Sequence, residues 1–178
     1  MRIVPLSAEQ TGHPTVLYEE PGFVVGAMRD VMFVLWATRA TTQTAQKLEQ
    51  VGRSLIAAHG KISSIHVAMN AVPLPEAPAR EALQGVTLRL GADTIAVAVV
   101  LIGHGFWASA LRAFVTSLRW GGASLVPFKV HVCDSTLDAA VWLAPQHSAH
   151  SSLPASAEEL EAGLSELLRH PQLSATAR

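Results

Sequence analysis

The chain has 178 residues, 49% of them apolar and 15% charged, with 13 Lys and Arg against 14 Asp and Glu. Apolar-rich and charge-poor, it is not a chain that stays disordered along its length, and a formal charge of −1 leaves no basic excess to neutralise nucleic-acid phosphates. The length suits one domain, and a lone cysteine, Cys133, excludes an internal disulfide and a multi-cysteine zinc site.

Residues 1–13 contain Pro5, Gly12 and His13 without periodicity and read as an irregular arm. Its apolar opening, Met1 to Leu6, is shorter than the roughly 7–15 residues of an export-signal core. The longest apolar run, Ile95 to Ile102, falls far short of the about 20 residues of a membrane span. A cytoplasmic, non-transmembrane protein is expected.

Val16–Glu20 reads as a strand, Pro21-Gly22 as a turn, and Phe23–Met28 as a second strand. Arg29-Asp30 is a two-residue connection to a third strand, Val31–Ala37. Connections this short make antiparallel hairpins, because parallel pairs need long crossovers. Thr41 or Thr42 caps a helix whose apolar residues Ala45, Leu48, Val51, Leu55 and Ile56 recur at helical spacing, and Gly60 stops it. Ile62–Met69 is the next strand, and Asn70 to Pro78 a loop with three prolines. Pro78 opens a second helix through Ala79, Ala82, Leu83, Val86 and Leu90, closed by Gly91.

Asp93–Ile102, rich in β-branched residues, reads as a central strand covered on both faces. His104-Gly105-Phe106 leads into a third helix striped by Trp107, Leu111, Phe114, Val115 and Leu118 and ended by Gly121-Gly122. Phe128–Val132 is the last strand. Ser135 and Asp138 resemble a capping box opening a short helix through Ala139, Ala140, Trp142 and Leu143. Residues 146–155 read as a linker, 156–170 as a C-terminal amphipathic helix capped by Ser156 and Glu159, and 171–178 as a loose tail. The expected fold class is α/β: one mixed β-sheet with antiparallel N-terminal strands, amphipathic helices, and a C-terminal helix.

The segment Phe128 to Leu143 resembles the ending of SpoIIAA-like and STAS-type domains. There a short strand leads to an acidic or serine cap and an Ala-x-x-Trp-Leu helix, matched here by Ala139 or Ala140, Trp142 and Leu143. With the element order, the resemblance spans residues 14–145. It implies helices stacked mostly on one side of the sheet and a non-catalytic, regulatory role that binds a partner protein or a small ligand. Family members that antagonise anti-sigma factors carry a phosphorylatable Ser or Thr at the start of the helix after the central strand. Met69 to Glu76 occupies that region here without Ser or Thr, so the resemblance extends to the domain and not to the phospho-switch.

None of the eight histidines forms a His-x-x-x-His pair, and no metal is expected. His147 and His150 read as solvated linker residues, and His66 and His131 as satisfied strand residues. His104 is placed differently. It follows a strand and precedes a helix, where open α/β sheets gather ligands and helix N-termini favour anions. Asn70, Asp134 and Ser135 follow neighbouring strands and complete a candidate rim for an apolar or anionic ligand. His104 and Asp134 also form the nearest approach to an acid–base pair, the basis for reading the chain as a small enzyme; the bland alternative is that both cap helices. Gly103-His104-Gly105 lacks the third glycine of a dinucleotide loop, Ala108 standing in its place, so no nucleotide or other cofactor is expected. Cys133 reads as a buried thiol, no G-x-S-x-G elbow occurs, and no catalytic residue is assigned. Arg112, Arg119 and Trp120 are residue types enriched at interfaces and mark a candidate surface for a protein partner or self-association.

Overall fold

A computed structural model describes residues 12–69, 72–102, 113 and 127–174. Three strands open the chain: β1 (Thr15–Glu20), β2 (Phe23–Met28) and β3 (Val31–Trp36). Both β2 and β3 are buried at every position, which their unbroken apolar runs require. They pair antiparallel, Val24 opposite Leu35 and Met28 opposite Val31. Their two-residue turn holds Arg29 at φ 55°, a left-handed conformation uncommon outside glycine.

Helix α1 (Thr42–His59) is opened by a reciprocal box between Thr41 and Thr44 and closed at Gly60 with φ 81°. It leads to β4 (Ile62–Ala68), helix α2 (Ala77–Leu90) to β5 (Thr94–Leu101), and β6 (Lys129–Cys133) completes the sheet. Strands β3 to β6 are parallel, and the order across the six-stranded sheet is the order along the chain. The expected single mixed sheet is therefore present. The apolar run at Ile95 to Ile102 lies in β5, next to the edge strand, while β3 and β4 occupy the middle.

Right-handed crossovers that advance in one direction put their helices on one face. There α1 and α2 pack Leu48, Leu55, Val86 and Leu90 on Phe23, Val25, Met32 and Val34. The opposite face carries Val24, Phe33, Leu35, Ile65, Val67 and Val100. Three helices that follow β6 cover it: α3 (Thr136–Ser148), α4 (Ala157–Leu168) and the single turn α5 (Pro171–Ser174). Both faces are thus helix-covered, where the family resemblance had stacked the helices mostly on one.

Three boundaries read from the sequence change. Residues 146–148 belong to α3, which runs through Pro145, so the linker begins later than position 146. The C-terminal helix expected over 156–170 runs over Ala157–Leu168 and packs on its own sheet: Leu160, Leu164 and Leu167 join Val24 and Phe33 in one cluster. The tail at 171–174 is helical, with Leu173 buried and the Gln172 carbonyl accepting the Gly22 N–H at 2.8 Å. A large apolar face needs a cover, and these leucines supply it. The helix expected over residues 105–120 lies outside the described residues apart from Ala113, which is helical.

Candidate functional sites

The expected ligand rim lies where β4, β5 and β6 end. Asn70 and His104 fall outside the described residues, as do Arg112, Arg119 and Trp120. Of the rim, Asp134 is exposed. Ser135 is the N-cap of α3, its hydroxyl accepting the Asp138 N–H at 3.1 Å. That bond commits the Ser135 oxygen to the helix. Neighbouring Cys133 is buried, and burial, with the charges of Asp138 and Asp134, pushes its thiol up to about 11. A thiol so protonated is no nucleophile at neutral pH.

The described part of the molecule concentrates polar chemistry at the other end of the parallel strands. Asp30 comes from the β2–β3 turn, Ser63 from the start of β4, His147 from the last turn of α3, and Ser151 from the connection to α4. Asp30, Ser63 and His147 are 2%, 0% and 0% exposed. The Ser63 hydroxyl lies 3.0 Å from His147 Nδ1. His147 Nε2 lies 3.1 Å from the Leu153 carbonyl and 3.2 Å from Asp30 Oδ1, the latter an ion-pair distance without hydrogen-bond alignment. Ser151 donates to Asp30 Oδ2, and the Asp30 carbonyl accepts the Ser63 N–H at 3.1 Å. Burial alone would push the Asp30 carboxyl up, but the His147 imidazole beside it and the hydrogen bond from Ser151 outweigh it and hold the carboxyl below its ordinary range.

Hydroxyl, imidazole and carboxylate in sequence are the makings of a nucleophilic triad. Here a carbonyl substrate cannot reach Ser63 Oγ, because Ser63 and His147 are both 0% exposed. What the arrangement does instead is join four chain segments around buried polar groups, with Asp30 Oδ1 against the His147 ring but outside hydrogen-bond alignment. Arg29 extends it to the surface, donating to the Pro154 carbonyl and pairing with Glu159 at 2.7 Å. Sequence reading placed His147 in a solvated linker. The signal that finds it is the α3 stripe itself: Ala139, Ala140, Leu143, Ala144 and His147 fall on one helical face. The linker reading of residues 146–155 masked it.

Two other histidines stay structural. Burial pushes His66 down to about 4, so it is neutral in the fold at physiological pH. His131 on β6 stacks on Trp142 of α3, with ring centres 5.0 Å apart and planes 22° from parallel. Beside them Lys129 donates to Gln146 at 2.7 Å. On the outside of α3, Leu137 and Val141 are each 56% exposed, one turn apart. Among the described residues no three His, Cys, Asp or Glu side chains gather as metal ligands, and no helix is long and apolar enough to cross a membrane.

No protein-family model matches the chain, and neither does any curated protein or solved structure.

Proposed function

We propose that this chain is a non-catalytic regulatory or protein-interaction domain of the STAS/SpoIIAA-like type, working without a phospho-switch. The observation that carries the reading is the outward face of α3. Leu137 and Val141, on the helix that bears the Trp142-Leu143 motif, are each 56% exposed. Exposed large apolar side chains in register on one helix face suit a partner surface better than solvent. The sealed state of the Asp30–Ser63–His147 cluster agrees with a role other than catalysis.

The test is affinity capture with the full chain and with a Leu137→Glu/Val141→Glu variant of matched thermal stability. The expected outcome is a discrete partner protein, held by the parent chain, identified by mass spectrometry and then shown to bind as a purified protein. The double variant should weaken that binding by roughly tenfold or more, since truncated apolar anchors dominate such interfaces. Equal binding by both chains, or no partner for either, overturns the reading.

A further inference from the structure

Strand β6 lies at the end of the sheet order. Among the described residues it has a strand neighbour on one side only, β5. Lys129, His131 and Cys133 face α3: Lys129 reaches Gln146, His131 stacks on Trp142, and Cys133 joins the core under Ala139. Lys129 and His131 are also exposed, so the α3-side surface of the strand remains open to contact. Charge is divided along the element. The basic residue stands at its start, while past its end Asp134 follows Cys133 and Asp138 stands in the first turn of α3, both acting on Cys133 through their charges.

We propose that two copies of this chain pair antiparallel through their β6 strands, about a two-fold axis at His131, joining two sheets into one. This rests on the reading of the chain as an interaction domain and names the second copy as a partner. In that register each His131 faces its counterpart, with the stacked Trp142 rings flanking the axis. Val130 faces Val132 of the other copy, and Lys129 faces Cys133, beside Asp134 and Asp138. A two-fold interface requires such self-complementarity, and strand addition supplies main-chain hydrogen bonds that do not depend on side chains. A lysine on an edge strand ordinarily deters pairing, because its charge is left against an apolar neighbour. Here the pairing itself brings the Asp138 carboxylate towards it, and its hydrogen-bond partner within the chain, Gln146, is neutral.

Sedimentation velocity on the full chain over a concentration series tests this, with thermal melts as the control for folding. A dimer is expected. Lys129→Glu and Asp138→Lys should each weaken it by roughly tenfold or more, as expected for close charge pairs across an interface. The double exchange Lys129→Glu/Asp138→Lys should restore it, because it inverts both ends of the strand together. Raised salt should weaken the parent dimer. A chain that stays monomeric at about 100 μM, two decades above a micromolar constant, overturns the proposal, and so does a dimer indifferent to both reversals. A monomer would leave the wider interaction reading intact, since that stands or falls on a different protein bound at Leu137 and Val141.

Discussion

Asp30 is a carboxylate with almost no contact with water, placed at a turn where most residues are solvated. Two features hold it there: His147 at ion-pair distance and the Ser151 hydroxyl. Removing one partner leaves the other's polar group buried and uncompensated, which costs more than the contact's net worth. His147→Ala and Asp30→Ala should each lower the unfolding free energy by about 3 kcal/mol or more in urea titrations. The double variant should lose clearly less than the sum, because each single change already abolishes the contact. The pH dependence has a definite sign. The folded Asp30 carboxyl titrates below its ordinary 3.8. Its contribution is therefore complete above that value and disappears as the pH falls through the folded one. Unfolding free energies measured from about pH 6 down to about pH 2 should steepen at the acid end. Asp30→Asn should remove that part of the slope; an unchanged slope would show that other carboxylates carry the acid response.

At the scale of elements, the approach of α4 to the sheet is set by one glycine. A Cβ at Gly26 would stand 2.8 Å from Leu167 Cδ1 and 3.2 Å from the Thr15 carbonyl. Any side chain there must push α4 outward or force Leu167 off its rotamer. Gly26→Ala is expected to cost about 1–3 kcal/mol, the scale of overpacking a filled core. Pairing it with Leu167→Ala should recover part of that loss, measured by thermal or urea unfolding. A neutral Gly26→Ala would mean that α4 yields without cost. Most elements were legible in advance. Continuous apolar runs at Phe23–Met28 and Val31–Trp36 mark strands buried on both faces, and the observed bounds agree within a residue or so. Thr41, Ser135 and Ser156 mark helix starts because side-chain oxygens there accept otherwise unpaired backbone N–H groups. The start of the linker was less legible, and Pro145 lies inside α3. Proline inside a helix removes one backbone donor and crowds the preceding turn, yet α3 continues for three further residues because His147 is anchored from both ring nitrogens.

Over the whole molecule, the C-terminal helices matter more than their position in the chain suggests. They shield the face formed by Val24, Phe33, Leu35, Ile65 and Val67, all five of them fully buried. Deleting residues 156–178 would leave that face to water, so the shortened chain should aggregate or fail to unfold cooperatively, in calorimetry and in dye-binding assays for exposed apolar surface. If residues 1–155 instead melted as cooperatively as the full chain, these helices would not be needed to close the core.

The candidate site was less legible than the fold. Ser135 as a cap was readable, because a serine followed three residues later by an acid before an apolar run is a local signature. The Asp30–Ser63–His147–Ser151 cluster was not, since its members are separated by up to 121 residues and share no spacing rule. Period and punctuation are local properties, and they determined the helices, the strands, the antiparallel opening and the mixed sheet. Which face each helix covers, that a histidine near Pro145 lies wholly out of water, and that the last leucines close the core were decided only in the folded molecule. Burial and polar satisfaction are relations between distant segments, and they exist only once the sheet has brought those segments together.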